Sequence, residues 1–384
     1  MKNEFIPLCI PEIIGNEWTY IKECLDTGWV SSVGSYVDKF EKRISQFIGI
    51  DHAIACVNGT AALHTALMVA GVGKEDAVFV SDLTFISPVN AIKYTGATPI
   101  FIDAEPTYYQ MDAGKLLEYI QECCVYKNGQ LRNKFDNKLI KAIIPVHILG
   151  HPVDMDSILD IAKEYNLIVI EDATESLGST YKSKSVGTLG DIACFSFNGN
   201  KLITTGGGGM IVTNNKKWAE KARYLTTQAK DNSLEFIHNE VGYNYRLTNI
   251  QAAMGVAQLE QINEFINKKI SIATTYTKAL SNIPGITTMS QAPWAKSVYW
   301  MNTILIDPDR YYLSSRELLA KLQKNNIQTR PLWQPMHLSP TNKDIIYSNF
   351  SVADLLYKNA LSIPCSVGLS EADQFRVIDT IQNK

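Results

Sequence analysis

Short β-branched runs alternate with helical patterns through residue 213, and this alternation limits the fold more than any other feature of the chain. The runs 54–57, 77–80, 99–102, 140–146, 168–170 and 193–197 are apolar and brief, so they read as buried strands. Strands spaced by helices build a largely parallel sheet with helices on both faces, which makes this an α/β chain. In open sheets of that kind, ligands sit beyond the carboxyl ends of the strands. The residues just after each run are therefore the candidates for chemistry.

Asp172 lies just past run 168–170. Lys201 lies on a turn-rich loop past run 193–197, and Ser196 sits inside that run. Taken singly, a turn aspartate is more often a helix cap and a lysine more often a solvated charge. A strand serine more often bonds backbone. Together they offer an acid, an amine and a hydroxyl at one sheet edge. Pyridoxal phosphate (PLP) chemistry asks for that set: a lysine that forms a Schiff base with the cofactor aldehyde, and a carboxylate facing the pyridinium nitrogen. A crowded lysine also serves as nucleophile and proton shuttle. The phosphate needs a cradle of its own. Gly59, Thr60 and Ala61 open a helix after run 54–57, where unpaired N–H groups and the helix dipole favour an anion. The run 206–209 lacks the spaced glycines of a dinucleotide fingerprint.

The stretch from Glu171-Asp172-Ala173-Thr174-Glu175 through Phe195-Ser196-Phe197-Asn198-Gly199-Asn200-Lys201 to Thr213 resembles the DegT/DnrJ/EryC1/StrS family of sugar aminotransferases. The likeness runs from Gly28-Trp29-Val30-Ser31-Ser32 to Arg330-Pro331-Leu332-Trp333. It implies PLP fold type I, the aspartate aminotransferase-like architecture. A large PLP-binding domain with a mostly parallel sheet would cover residues 1–260, and a smaller C-terminal α+β domain residues 261–384. The resemblance further implies amino transfer from L-glutamate to C4 of a nucleotide-linked 4-keto-6-deoxy sugar, for surface polysaccharide or glycan synthesis. Lys201 and Asp172 would be the catalytic pair. Phe85 would stack on the pyridine ring, Glu175 would hold the region of the cofactor's 3′-oxygen, and Ser196 would bind the phosphate. Asn244 would reach the phosphate of the partner's cofactor in a homodimer with shared active sites. Trp29, Ser31, Trp333 and His337 would face substrate.

Two positions depart from the family pattern. Gly207 stands where many members carry glutamate, and Glu175 where many carry glutamine or histidine. Both departures resemble a branch acting on UDP-linked 4-keto-6-deoxy-N-acetylhexosamines. UDP-2-acetamido-2,6-dideoxy-4-hexulose is thus the expected acceptor, ahead of dTDP-4-keto-6-deoxyglucose and GDP-4-keto-6-deoxymannose. Some relatives are sugar dehydratases that place histidine at the Schiff-base position, and Lys201 argues against that chemistry. Asp172 and Lys201 together argue against a non-catalytic protein on this fold.

Composition narrows the remainder. A net charge of −3 gives no case for nucleic acid or an anionic membrane as partner. No apolar run is long enough to span a bilayer, and residues 1–10 lack the apolar core of a secretory signal. Seven scattered cysteines without metal-ligand spacing read as free thiols of a cytoplasmic protein, with no metal site. Periodicity predicts a helix over 17–27 with Trp18, Ile21 and Leu25 on its apolar face, and a second carrying Val37, Phe40, Ile44 and Phe47. A long helix is expected from Thr248 onward. The polar stretch 126–138 reads as a surface insertion.

Overall fold

The structure, a computed structural model, describes residues 4–232, 234–343 and 349–383. Every run read as a strand is one. The main sheet has the order His52–Cys56, Gly209–Thr213, Ile192–Ser196, Ile168–Asp172, Leu139–Ile144, Asp76–Ser81, Thr98–Ile102. Ile192–Ser196 and the four strands beyond it run parallel. Gly209–Thr213 runs antiparallel to both of its neighbours. Close packing at its start needs glycine. A Cβ on Gly209 would lie 2.5 Å from the backbone of Asn58, the residue that caps the helix Gly59–Val69. The polar stretch after residue 124 forms a hairpin, Cys124–Lys127 with Gln130–Asn133. It joins the start of Leu139–Ile144, so it extends the sheet.

The second unit is a four-stranded antiparallel sheet in the order Ile286–Thr288, Asn302–Ile306, Ala360–Ile363, Arg330–Pro331. The helices Ile262–Leu280, Ser315–Lys324, Ser351–Asn359 and Glu371–Gln382 accompany it. The helix expected from Thr248 is two helices, Asn249–Glu260 and Ile262–Leu280, meeting at Gln261. Several connections cross residue 261, two of them through backbone pairing. Ile6 bridges Ile327 and the Cys365 N–H donates to the Leu8 carbonyl at 2.8 Å, so the N-terminal residues join the second unit. Ala295–Lys296 returns to pair with Thr180–Tyr181, half of a hairpin completed by Lys184–Ser185.

The helix Glu17–Thr27 has the expected bounds but a different buried face. Glu17 and Cys24 are buried, whereas Trp18 and Leu25 are 76% and 56% exposed. The polar contacts decide this orientation: the Glu17 carboxylate accepts from the Gly15 N–H at 2.8 Å and from the buried Gln258 amide at 2.6 Å. The next helix, Ser35–Ile48, buries Val37, Phe40 and Ile44 as its pattern requires. Among the described residues, no helix is long and apolar enough to cross a membrane.

Candidate active site

A cleft of about 290 Å³ opens at the carboxyl ends of the parallel strands. Its wall takes Gly59, Phe85, Val146, Asp172 and Ser196 from the ends of five strands, and Lys201, Trp300 and Trp333 from loops. Eight expected residues thus converge there: Gly59, Thr60, Phe85, Asp172, Glu175, Ser196, Lys201 and Trp333.

Asp172 ends its strand with a buried carboxyl group. Its backbone is fixed on both sides, by its N–H to Pro145 O at 3.0 Å and by the His147 N–H to its carbonyl at 3.1 Å. Burial pushes its carboxyl pKa up, and the Thr174 hydrogen bonds and the Lys201 charge offset part of that rise. A cation facing Asp172 would complete the offset.

Glu171, one residue earlier on the strand, points to the other face. Its Oε1 accepts from the N–H groups of Leu189 and Gly190 at 2.8 and 2.7 Å. Its Oε2 accepts from the Gly187 N–H at 2.9 Å and from His147 Nε2 at 3.0 Å. The His147 Nδ1 accepts from the Val153 N–H at 3.0 Å, so the ring hydrogen sits on Nε2. Glu171 therefore pins the loop leading into Ile192–Ser196, the strand that delivers Ser196 and then Lys201. The chain's order alone gave no sign of this role, because its four donors lie 16 to 24 residues away.

The Lys201 side chain is 13% exposed, and its Nζ is 3.6 Å from Glu175 Oε1. The same Nζ lies 3.9 Å from the ring centroid of Trp300, a cation–π contact. Trp300 is anchored by its own Nε1–H to Asn200 O at 2.7 Å, and it lies parallel to Trp333 with centroids 6.4 Å apart. Trp300 is a site residue that sequence reasoning missed; only tertiary folding brings it over the lysine. Glu175 accepts on its other oxygen from the Leu149 N–H at 2.8 Å. Leu149 stands at φ 59°, a left-handed conformation uncommon for leucine, with its N–H aimed at this carboxyl group. Burial pushes the Glu175 carboxyl up to about 7, against the pull of Lys201.

The other end of the cleft suits a phosphate. Helix geometry leaves the Gly59 and Thr60 N–H groups without intrahelical acceptors. A Cβ on Gly59 would sit 3.0 Å from Ser196 Cβ and 3.3 Å from both Ser196 Oγ and Thr174 Cγ2, so glycine keeps this corner open. The Thr60 and Ser87 hydroxyls stand 3.1 Å apart beside it. Ala61 contributes nothing free: it is buried, and its N–H donates to Asn58 Oδ1 at 2.8 Å. The Phe85 ring is 51% exposed along the cleft, available for stacking. This open corner, the buried Asp172 carboxyl and the Lys201 amine fit PLP: the corner would hold the phosphate, Asp172 would face the ring nitrogen and Lys201 would meet the aldehyde.

Four expected residues lie elsewhere. Trp29 and Ser31 are exposed, and their carbonyls accept from Asn249 at 2.7 and 2.6 Å. Asn244 is exposed and bridges Thr227. His337 does not face the cleft. It is 8% exposed, with Nδ1 2.7 Å from Asp82 Oδ2 and its ring stacked on Phe350. Both of its ring nitrogens face carboxylates, Asp82 and Asp354. Among the described residues, no group of three or more His, Cys, Asp or Glu is placed to hold a metal ion.

Comparison with known proteins agrees with this geometry. The family model described as the DegT/DnrJ/EryC1/StrS aminotransferase family matches residues 11–382. The chain is 40% identical over 374 residues to a GDP-perosamine synthase of Caulobacter vibrioides, covering 97% of this chain and 96% of that one. It is 33% identical over 351 residues to the UDP-4-amino-4,6-dideoxy-N-acetyl-beta-L-altrosamine transaminase of Campylobacter jejuni, covering 91% and 89%. A crystal structure of a DegT DnrJ EryC1 StrS aminotransferase from Brucella abortus superposes with a TM-score of 0.84 at 28% identity, over 96% of this chain and 94% of that one. The cleft that joins Asp172 to Lys201 therefore sits in a PLP-dependent sugar aminotransferase, and the chain belongs to the DegT/DnrJ/EryC1/StrS family.

Proposed function

We propose that this enzyme transfers the amino group of L-glutamate to C4 of GDP-4-keto-6-deoxymannose. The observation that carries amino transfer is the convergence of Lys201 Nζ, Glu175 and the buried Asp172 in one cleft with an open phosphate corner. The preference for a GDP-linked acceptor rests on the 40% identity to a relative named for GDP-perosamine, against 33% to one named for a UDP-linked amino sugar. It displaces the UDP-linked acceptor that Gly207 and Glu175 pointed to, which stays the second reading.

When bound, PLP supplies an aldehyde that takes up the amine and a ring that withdraws electrons from the donor's Cα. Lys201 Nζ is the group to move the proton at that Cα, because it is the amine in the cleft. Glu175 and the Trp300 face fix where Nζ waits between transfers. Asp172 holds a proton on the ring nitrogen, since its buried carboxylate gains most from a paired cation. Phe85, Trp300 and Trp333 wall the cleft with apolar surface and keep water from the reacting atoms.

A homodimer with shared active sites belongs to the same proposal. Trp29, Ser31 and Asn244 lie outside their own chain's cleft, and Trp18, Trp29, Val33 and Val241 expose 58% or more of their surface. Mixing Lys201→Ala with Asn244→Ala subunits tests sharing: mixed dimers should recover activity that neither variant shows alone. The acceptor is tested by offering L-glutamate with the GDP-, dTDP- and UDP-linked ketosugars in turn. Fastest turnover on the GDP sugar is expected, and turnover confined to the UDP sugar would overturn the choice of nucleotide.

A further inference from the structure

His337, although outside the cleft, stands at the joint between its two walls. Asp82 follows the strand Asp76–Ser81 in the main sheet, and Thr84 and Phe85 after it line the cleft. Trp333, four residues before His337, lines the cleft from the second unit. The two segments are laced together at Asp82. Its carbonyl accepts from the Met336 N–H at 2.9 Å, its Oδ1 from the His337 N–H at 2.9 Å, and its Oδ2 from His337 Nδ1 at 2.7 Å. On the other side of the ring, Nε2 lies 3.3 Å from Asp354 Oδ1, on the helix Ser351–Asn359. Asp103 of the main sheet caps that helix, accepting from the Val352 and Ala353 N–H groups at 3.1 and 2.9 Å.

We propose that His337, as an imidazolium shared between Asp82 and Asp354, is a positioning residue that sets the separation of the Phe85 and Trp333 walls and so controls binding of the acceptor sugar. The proposal rests on reading this cleft as the acceptor site.

The chemistry favours the charged ring. Asp82 is buried, and its carboxyl oxygens accept from the His337 N–H at 2.9 Å and face the ring Nδ1 at 2.7 Å; burial raises its pKa, and the His337 bonds and charge pull the other way, so the carboxylate gains from a charged ring beside it. With both ring nitrogens facing carboxylates, only imidazolium can donate to each. Burial by itself lowers the His337 pKa, but the Asp82 hydrogen bond and the charges of Asp82, Asp354 and Asp103 outweigh it and leave the pKa raised above 6.5. Lys93, on the helix Ser87–Tyr94, also carries charge onto this joint. Its Nζ binds Asn342 Oδ1 and, at 2.6 Å, Thr341 O, fastening the next turn of the same loop. Because the folded-state value is raised, the Nε2–H to Asp354 is fully in place below 6.5 and is lost as pH rises through the raised value. A neutral ring keeps its Nδ1–H on Asp82 but turns a lone pair toward Asp354.

The test uses the whole enzyme with two substitutions. His337→Asn retains a donor near the Nδ1 position but carries no charge, and His337→Ala removes both. Backbone hydrogen exchange, corrected for intrinsic rate, is read at residues 82–85 and 333–338 across pH, alongside KM for the ketosugar and for glutamate. In the wild type, exchange in both segments should rise together as pH climbs through the His337 titration. His337→Asn should make it independent of pH. His337→Ala should expose both segments at every pH and raise the ketosugar KM about tenfold, the loss of a hydrogen bond to a charged group, with both KM values read at saturating PLP. Wild-type protection of residues 82–85 in His337→Ala, or KM values for the ketosugar and glutamate that rise equally, would overturn the proposal. If His337→Ala fails to fold, the pH profile of His337→Asn decides. Exchange is read without turnover, so an error in the assigned reaction leaves that readout intact.

Discussion

Replacing Glu175 by glutamine should stabilise the cofactor-free protein while impairing the enzyme. The Glu175 carboxyl group is almost fully buried, and burial raises its pKa from 4.5 to about 7. Below 4.5 both the folded and unfolded chains hold the proton, and no penalty arises. Between 4.5 and about 7 the unfolded chain ionises first, so stability falls as pH rises; above about 7 the penalty is complete. At about 1.4 kcal/mol per pKa unit, the shift amounts to about 3 kcal/mol. Glutamine is neutral at every pH and keeps an oxygen for the Leu149 N–H. Urea unfolding of both proteins, stripped of PLP, across this pH range is the assay. Glu175→Gln should be more stable by up to about 3 kcal/mol above neutral pH, with the gap closing toward pH 4.5. Turnover should fall, because Lys201 loses the carboxylate 3.6 Å from its Nζ. A gap that is absent, or equal at all pH values, would refute the reasoning.

Other substitutions probe the rest of the site. Glu171→Ala strands the N–H groups of Gly187, Leu189 and Gly190 and the His147 Nε2–H, and should cost about 3–5 kcal/mol in thermal or urea unfolding. Gly59→Ala drives a Cβ to 3.0 Å from Ser196 and should weaken PLP binding about tenfold in a cofactor titration, with a stability cost of about 1–3 kcal/mol. Lys201→Ala should abolish amino transfer and leave the circular dichroism spectrum unchanged.

The strands were legible because each is apolar on both faces and closed by turn residues, a pattern that needs no long-range information. Asp172, Ser196 and Lys201 were legible for a related reason: chemistry placed at strand ends in a parallel sheet converges on one edge. Trp300 was not, because the turn that lays its ring over Lys201 depends on contacts about 100 residues apart, such as its bond to Asn200. The contacts of the N-terminal segment were not legible for the same reason; the Leu8 N–H bonds to Gln328 across 320 residues. Trp18 and Leu25 show a different failure. Helical period marks an apolar face but not what covers it, and within one chain the buried Glu17–Gln258 bond turns that face outward. The surroundings of His337 were not legible either, because a histidine beside aromatic and proline residues reads alike in a substrate wall and in a buried carboxylate clamp.

The central claim is that Lys201 and Asp172 form a PLP amino-transfer site, and the absorbance spectrum of the purified enzyme tests it most directly. PLP bound at Lys201 should give a long-wavelength band. L-Glutamate should convert it to the shorter-wavelength band of the aminated cofactor, and a ketosugar acceptor should restore the first. Lys201→Ala should not complete this cycle. A protein that stays colourless after incubation with PLP, or a long-wavelength band unmoved by glutamate, would contradict the claim.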